Sequence, residues 1–255
     1  LIGSPMGAAG FATLATHFPD RTIVTYDPRG AERSTKDDPT APSNPEMHAD
    51  DLHRVIREVG GPVDLFASSG GAVNALALVA KHPEDVRTLV AHEPPLASLL
   101  PDRDAAMAAV RAIQNSYQAR GWGAGMAHFM AVTSHRGEFP DDFADQPAPD
   151  PAVFGMPTED DGKRTDVMLG QNLIGTTHYE PDFDALRATS TRIVIGAGAE
   201  SEGEMANRGG HAVGGRLGTE AVAFPSHHGG FLGGEYGWDD EPEAFAAKLR
   251  DVLEG

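Results

Sequence analysis

Short runs of β-branched, aromatic and other apolar residues recur along the chain, and residues typical of turns bound each run. Runs of this length predict strands, and a continuously apolar run predicts a strand that is buried on both faces. We therefore expect buried parallel strands at 21–26, 62–67, 86–91, 192–195 and 220–224.

Helical patterns lie between these runs. Residues 48–57 place Leu52, Val55 and Ile56 on one helical face, and a pair of glycines follows as a stop signal. Residues 72–81 form a second helical segment, whose small residues suit close packing on a sheet. Because strands alternate with helices, the pattern predicts an α/β protein with a mostly parallel, doubly wound sheet.

This alternation stops in the middle of the chain. Residues 104–133 have a helical pattern, 141–161 are rich in proline and aspartate, and helical periodicity resumes over 165–173. The interruption predicts a helical cap that is inserted between two strands and covers the edge of the sheet. The predicted domains are a core of 1–96 and 184–255 and a cap of 97–183.

Composition and charge narrow the classes of partner. The chain has 255 residues, 38 acidic against 20 basic, and a formal net charge of −18. Such a charge repels a phosphate backbone, so we expect neither nucleic acid nor an anionic membrane as a partner. The absence of cysteine excludes disulfides, a thiol nucleophile and thiolate metal ligands, and it fits a cytoplasmic protein.

The chain begins with Leu1-Ile2 followed by Gly3-Ser4-Pro5, which is the pattern of a buried strand that ends in a loop. We therefore expect the first strands of the sheet to precede Leu1, outside this sequence.

One strand-to-helix junction carries a candidate nucleophile. The predicted strand at 62–67 runs into Ala67-Ser68-Ser69-Gly70-Gly71, and an apolar helix follows. A strained turn of this kind needs small residues on both sides of an exposed serine. Only Ser69 has small residues two positions before and two positions after it, so we favour it over Ser68. The alternative is a glycine-rich turn whose serines cap the helix.

Nearly the whole chain resembles the α/β-hydrolase superfamily, especially small bacterial hydrolases with a helical cap. Besides the junction at Ser69, Gly3-Ser4-Pro5 looks like that family's loop after the third strand. Residues 26–34 resemble its aromatic-Asp-x-Arg-Gly-x-Gly-x-Ser segment. The resemblance implies a serine nucleophile at Ser69 and an oxyanion hole formed by the backbone N–H groups of Gly70 and Ser4.

The same resemblance places the catalytic base after the last strand, where the loop Pro225-Ser226-His227-His228-Gly229-Gly230-Phe231 lies. We favour His228, because in similar proteins the base precedes a small-Gly-aromatic sequence, and His227 is the alternative. Adjacent histidines in an extended loop point apart and no acidic cluster accompanies them, so we expect no metal site.

Two glutamates are candidates for the acid of the catalytic triad. The superfamily often has Gly-x-x-Asp after the strand at 192–195, but here the stretch is Gly198-Ala199-Glu200-Ser201, with a serine in place of the acid. Glu200 is one substitute. Glu93, after the strand at 86–91, is the other, and we favour it because its position resembles that in zearalenone lactonases and some haloalkane dehalogenases.

The predicted cap supplies apolar residues that could wall a pocket, although an apolar residue of this kind belongs more often to the cap's own core. They are Met126, Phe129, Met130, Phe154, Met156 and Leu169, and Gly3 is added from the loop near the nucleophile.

Taken together, these residues predict a serine hydrolase that cleaves a carboxylic ester or lactone through an acyl-enzyme, without a cofactor or metal. The expected partner is a small, uncharged and apolar substrate, and a homodimer is an open alternative to a monomer. Two other functions are consistent with the pattern. One is a non-catalytic small-ligand-binding protein of hydrolase fold, and the other is a cofactor-free perhydrolase or C–C hydrolase with the same triad.

Overall fold

The computed structural model describes residues 1–237 and 240–255. In these residues the sheet has four parallel strands, each hydrogen-bonded to the next along the chain. The strands are β1 (Val63–Ser68), β2 (Val86–His92), β3 (Arg192–Gly198) and β4 (Val222–Phe224). Their carboxyl ends therefore meet at one edge of the sheet, where Ser68, His92, Gly198 and Phe224 end their strands.

The predicted strand at 21–26 is wrong, because this segment has no regular secondary structure. A strand needs a repeating ladder of hydrogen bonds to a neighbour. Here the amino group of Leu1 donates to the carbonyl of Val24 at 2.9 Å, and the N–H of Arg21 donates to the carbonyl of Phe18 at 3.1 Å within a turn. Ile2 lies beside β1 instead and forms a parallel bridge with Ala67, as the apolar start of the chain predicts.

Helices connect and cover the strands, and those expected at 48–57 and 72–81 are present as α2 and α3. In the described residues the α-helices are α1 (Ala12–Thr16), α2 (Pro45–Val59), α3 (Gly70–Lys81), α4 (Arg103–Arg120), α5 (Trp122–Thr133), α6 (Leu173–Thr177), α7 (Phe183–Ala188), α8 (Met205–Leu217) and α9 (Pro242–Glu254).

The two faces of the sheet pack against different helices. Leu65 and Ala67 of β1 point into a core shared with α2, α3, α7 and α8, whereas Phe66 points into a second core shared with α1 and α9. This alternation follows from the period of two along a strand. Burial on both faces explains why the central residues of the strands are apolar, and the arrangement confirms the predicted α/β architecture.

The stretch between β2 and α7 carries α4, α5 and α6, which share a separate apolar cluster that includes Val110, Ile113 and Leu169. Gly121 divides the single helical stretch expected at 104–133 into α4 and α5, and its φ of 83° explains the break. A wide helical turn, Val167–Asn172, leads into α6. The division of the chain into a core and a cap at residues 97 and 183 stays a prediction.

None of the helices in the described part of the chain has both the length and the apolar character that crossing a bilayer would require.

Candidate active site

Ser69 occupies a strained turn between β1 and α3. Its φ is 57° and its ψ is −127°, a conformation that is rare for a residue with a side chain. Its N–H donates to the carbonyl of His92 at 2.9 Å, which ties the turn to the end of β2. Ser68 is buried, with Oγ 3.3 Å from His92 Nδ1, whereas Ser69 lines a cavity. Of the two serines, therefore, Ser69 is the one that a small molecule can reach.

The glycines after Ser69 are needed because another loop lies directly against them. A Cβ on Gly70 would lie 2.5 Å from the carbonyl oxygen of Ser4, and a Cβ on Gly71 would lie 2.8 Å from Cα of Gly3. Neither glycine has a positive φ, so close packing and not backbone conformation excludes larger residues. The contact brings the backbone of Ser4 beside the N-terminus of α3, where the first amides have no partner within the helix.

Glu93 follows β2 and its side chain is completely buried. Its Oε2 lies 2.7 Å from His228 Nδ1. The other oxygen, Oε1, accepts hydrogen bonds from the N–H of Gly198 at 2.8 Å, from the hydroxyl of Ser201, and from Nδ2 of Asn207 at 3.2 Å. Sequence reasoning noted Ser201 only as a departure from a pattern and missed Asn207, which no local motif marks.

The environment of Glu93 keeps its carboxylate ionised. Burial by itself raises the pKa, but the hydrogen bond with His228, the charges of His228 and His92, and the hydrogen bond from Ser201 outweigh burial. The net effect lowers the pKa of Glu93 to about 2. A buried carboxylate that stays charged near neutral pH can orient a histidine and stabilise its protonated form.

Glu200, the alternative acid, is not among the hydrogen-bond partners of His228 in the described residues. It is exposed at the wall of the cavity, and its backbone carbonyl accepts a hydrogen bond from Arg136 at 2.8 Å. Ser201, one residue later, is fully buried against Glu93. The structure thus brings Glu93 to His228, with Ser201 on the opposite oxygen of the same carboxylate.

The two adjacent histidines have different partners. His227 Nε2 lies 2.8 Å from Oδ1 of Asp240, and His227 Nδ1 accepts a hydrogen bond from the N–H of Gly229 at 3.1 Å. Both ring nitrogens of His227 are therefore used within its own loop. His228 bonds to Glu93 through Nδ1, which leaves Nε2 as the nitrogen that can accept a proton.

A third histidine, His92, lies at the end of β2 with no exposed surface, and its ring centroid is 6.1 Å from that of His228. The rings of Phe66, Phe224 and Phe245 surround it. Burial lowers the pKa of His92 to about 4, and the nearby charge of Glu93 only partly opposes this. His92 is therefore neutral at pH 7.

The buried His92 makes stability depend on pH. Below pH 6.5 the unfolded chain binds a proton at this residue, but the folded protein does not until about pH 4. We expect this difference to remove about 3 kcal/mol from the free energy of unfolding as the pH falls through that window. His92→Leu should flatten the pH dependence by this amount in denaturant titrations at pH 7 and pH 4.

Burial also lowers the pKa values of His48, His128 and His178, so part of the slope should remain in His92→Leu. The exposed His211 in α8 offers a matched control, and His211→Leu should keep the wild-type slope. Equal slopes for wild type and His92→Leu would show that this histidine does not control acid stability.

A cavity of about 560 Å³ opens over Ser69 and His228, and Ser4 and Gly70 also line it. Of the residues predicted for its wall, Phe129 and Met130 are part of it. Gly3, Met126, Phe154, Met156 and Leu169 do not line it, and Leu169 is fully buried in the cluster around α4. The other apolar wall residues are Pro5, Pro95, Ile113, Met168, Leu173, Met205, Ala206 and Leu232.

Many polar side chains of the cavity wall already form hydrogen bonds or ion pairs within the protein. The hydroxyls of Thr133 and Thr177 donate to backbone carbonyls at 2.9 and 2.8 Å, and the amide nitrogen of Asn172 donates to a third at 2.7 Å. Arg136 forms an ion pair with Glu204 at 3.0 Å. The cavity therefore presents a largely apolar surface to a ligand, with its reactive polar groups gathered around Ser69.

One group of side chains in the described residues has the composition of a metal site, namely His53, His82 and Asp85, whose ligand atoms lie within 4.8 Å of one another. However, His53 Nδ1 already bonds Asp85 at 2.6 Å, and the two imidazoles stack at 3.9 Å with an interplanar angle of 16°. Their lone pairs lie in nearly parallel planes and do not converge on one point. None of the three lines the cavity within the described part of the chain.

The chain is similar in sequence to a known hydrolase. No family model matches the chain. An uncharacterized hydrolase of Bacillus subtilis, YraK, is 28% identical over 252 residues, a match that covers 91% of this chain and 79% of the relative.

Solved structures with low sequence identity match nearly the whole chain. An esterase from Thermogutta terrifontis has a TM-score of 0.64 at 17% identity and covers 98% of this chain and 86% of its own. The esterase EaEST from Exiguobacterium antarcticum has a TM-score of 0.64 at 18% identity, with coverage of 100% and 90%. MGS-M2, an alpha/beta hydrolase from a deep-sea metagenome library, has a TM-score of 0.64 at 15% identity, with coverage of 99% and 87%.

Proposed function

We propose that this chain, which has the α/β-hydrolase fold, is a serine hydrolase that cleaves a carboxylic ester or lactone through an acyl-enzyme. The observation that carries the proposal is the 2.7 Å contact between buried Glu93 and His228, on the wall of the cavity that Ser69 also lines. The names of the relatives agree with this class of reaction, since they include an uncharacterized hydrolase and two esterases.

In the first half of the reaction, Ser69 Oγ attacks the carbonyl carbon of the ester. A serine hydroxyl is a weak nucleophile, so His228 Nε2 takes its proton as the bond forms. The resulting imidazolium is stabilised by the ionised Glu93 at Nδ1. His228 then gives the proton to the departing alkoxide oxygen, the carbon–oxygen bond breaks, and the acyl group stays on Ser69.

In the second half, water replaces the alcohol. His228 Nε2 removes a proton from the water, which attacks the acyl carbon, and the proton then passes to Ser69 Oγ as the carboxylic acid leaves. Both halves pass through a tetrahedral oxyanion. We assign its binding to the backbone N–H groups of Gly70 and Ser4, because both residues line the cavity together with Ser69 and pack against each other.

The apolar cavity suggests the class of substrate. Its wall combines α4, α5, α6 and α8 residues such as Ile113, Phe129, Leu173 and Met205. Burial of apolar substrate surface there contributes about 25 cal/mol per Å², whereas an anionic group would lose its hydration, because Arg136 at the wall is already paired with Glu204. We therefore propose a small, uncharged and apolar ester or lactone as substrate, with the helices of 97–183 acting as a cap.

A fluorophosphonate probe tests the activated nucleophile directly. It phosphonylates a serine, with fluoride as the leaving group, only where a base withdraws the hydroxyl proton and an oxyanion site accepts the P–O oxygen. We expect stoichiometric labelling of the wild-type protein, and peptide mass spectrometry should place the label on Ser69. A protein that binds apolar ligands but remains unlabelled would be the non-catalytic binder that the sequence leaves open.

The acyl group that the cavity prefers can then be identified with a panel of p-nitrophenyl esters of increasing acyl chain length, together with small and macrocyclic lactones. We expect kcat/KM to rise with the apolar size of the acyl group until the cavity is filled. A labelled protein that hydrolyses none of these esters or lactones would favour the perhydrolase or C–C hydrolase alternative.

A further inference from the structure

The two oxygens of the Glu93 carboxylate have separate sets of partners. Oε2 meets His228 Nδ1 at 2.7 Å. Oε1 faces the other way and receives the hydroxyl of Ser201, the side-chain amide of Asn207 and the backbone N–H of Gly198. Three donors on one oxygen leave the other oxygen for the histidine.

These donors come from the last residue of β3, from the turn after it and from the first turn of α8, whereas Glu93 follows β2. Ser201 is fully buried and Asn207 is 3% exposed. Asn207 Nδ2 donates to Glu93 Oε1 at 3.2 Å and to the carbonyl of Gly198 at 3.0 Å, so its two protons are both used. A Cβ on Gly198 would lie 2.7 Å from Ser201 Oγ, which explains why glycine occupies this position.

The arrangement follows from what a buried carboxylate needs. A carboxylate can rotate about its terminal bond, and an oxygen that is buried without donors carries a large desolvation penalty. Charge-assisted hydrogen bonds to Oε1 remove this penalty and fix the plane of the carboxylate. Oε2 then points to His228 before any substrate arrives.

We propose that Ser201 and Asn207 are positioning residues, which hold the Glu93 carboxylate in the orientation that presents Oε2 to His228. Ser201 lies where the superfamily often carries its own acid, so the position after β3 contributes a donor to an acid that comes from the end of β2. The inference rests on the proposed function, because it assigns a catalytic consequence to this orientation.

Other titratable and charged groups also face the pair and must be kept constant in a test. These are His92 beside Glu93, His227 with Asp240 beside His228, and Arg136, Glu200 and Glu204 at the cavity wall.

Ser201→Ala should separate a positioning role from a structural one. We expect kcat to fall about tenfold with KM unchanged, because one charge-assisted hydrogen bond is lost and the substrate is not touched. The acid limb of the kcat/KM profile should move to higher pH, since a carboxylate with fewer donors holds the imidazolium proton more tightly. Asn207→Leu, which has a similar size, should change both quantities in the same direction.

A second measurement does not depend on turnover. The hydrogen bond from Ser201 lowers the pKa of Glu93, so the carboxyl carbon of Glu93, followed by NMR, should titrate at higher pH in Ser201→Ala than in wild type. Ser116→Ala is a matched control, because it removes a buried hydroxyl of α4 that lies 2.9 Å from Nδ1 of His128 in α5. It should leave kcat, the acid limb and the Glu93 titration unchanged.

The outcomes distinguish the inference from the proposed function. Wild-type kcat and an unmoved acid limb in both Ser201→Ala and Asn207→Leu, with an active wild type, would overturn the positioning role alone. If the wild type is neither labelled nor active, the proposed function fails. In that case an unchanged Glu93 titration in Ser201→Ala would overturn the positioning role as well.

Discussion

Ser69→Ala is expected to lower kcat for ester hydrolysis by about a millionfold, while the KM for an apolar p-nitrophenyl ester changes little. Without Oγ no acyl-enzyme forms, and the remaining catalysis comes from the oxyanion donors and from substrate binding. The variant keeps the turn and the cavity, because alanine adds no atom to this strained position. Steady-state hydrolysis with highly purified protein measures the residual rate, and differential scanning calorimetry checks the fold.

The neighbouring serine provides the control. Ser68 is 2% exposed and faces His92 inside the protein, so Ser68→Ala should retain fluorophosphonate labelling and near wild-type kcat. If Ser69→Ala keeps wild-type turnover, the acyl-enzyme mechanism is wrong. If Ser68→Ala alone loses labelling, the nucleophile has been assigned to the wrong serine.

β1 and β2 could be predicted from local pattern because their central residues are buried. Each of these strands has helices on both faces, so their central residues, 65–67 and 89–91, are all apolar. The segment 21–26 has the same composition but does not form a strand, because a strand also requires a neighbour in register along its length. Such a neighbour is a tertiary property, which a run of six residues does not encode.

Within the 97–183 region, helical segments were easier to predict than the cavity wall. Periodicity identifies which residues are apolar, but it does not say which of two apolar environments each one enters. Met168 lines the cavity, whereas Leu169, the next residue, is fully buried in the cluster around α4. The difference depends on how α4, α5 and the turn at 167–172 pack together, so a list of apolar residues includes members of both groups.

At the candidate site, the sequence identifies most of the individual residues but not all of the contacts between them. Ser69 could be proposed from its own neighbours, because the turn, the glycines and the helix are contiguous. The contact between Glu93 and His228 joins residues 135 positions apart and depends on the pairing of β2 with β3. Asn207 had no local signal at all, whereas the serine at position 201 was a visible one, since it replaced an expected carboxylate.

The order of the strands explains how the acid of the proposed site can come from the end of β2 and its hydrogen-bond donors from the end of β3. β2 and β3 are neighbours in the sheet, and the N–H of Glu93 donates to the carbonyl of Gly196 at 3.0 Å. A carboxylate at the end of either strand can therefore approach the same histidine loop. In the proposed site the carboxylate comes from the end of β2, and Ser201 in the turn after β3 donates a hydrogen bond to it.

Glu93→Gln is expected to lower kcat by about ten-thousandfold. Glutamine can keep its carbonyl oxygen toward Gly198 and Ser201, but its amide nitrogen then faces His228 Nδ1, and two donors oppose each other. The imidazole can relieve the conflict by carrying its proton on Nε2, which is the nitrogen that must accept the proton of Ser69. The substitution therefore changes the tautomer of the base while it preserves the shape of the site, and the rate of fluorophosphonate labelling should fall together with kcat.

Glu200→Gln tests the competing assignment in a residue of the same type. Glu200 is exposed, and the contact that ties it to Arg136 runs through its backbone carbonyl, which the substitution retains. This variant should keep kcat and the acid limb of the wild type, with at most a small change in KM from its place on the cavity wall. A wild-type rate in Glu93→Gln combined with a large loss in Glu200→Gln would assign the acid to Glu200. The hydrogen bonds around Glu93 would then serve only to join β2, β3 and α8.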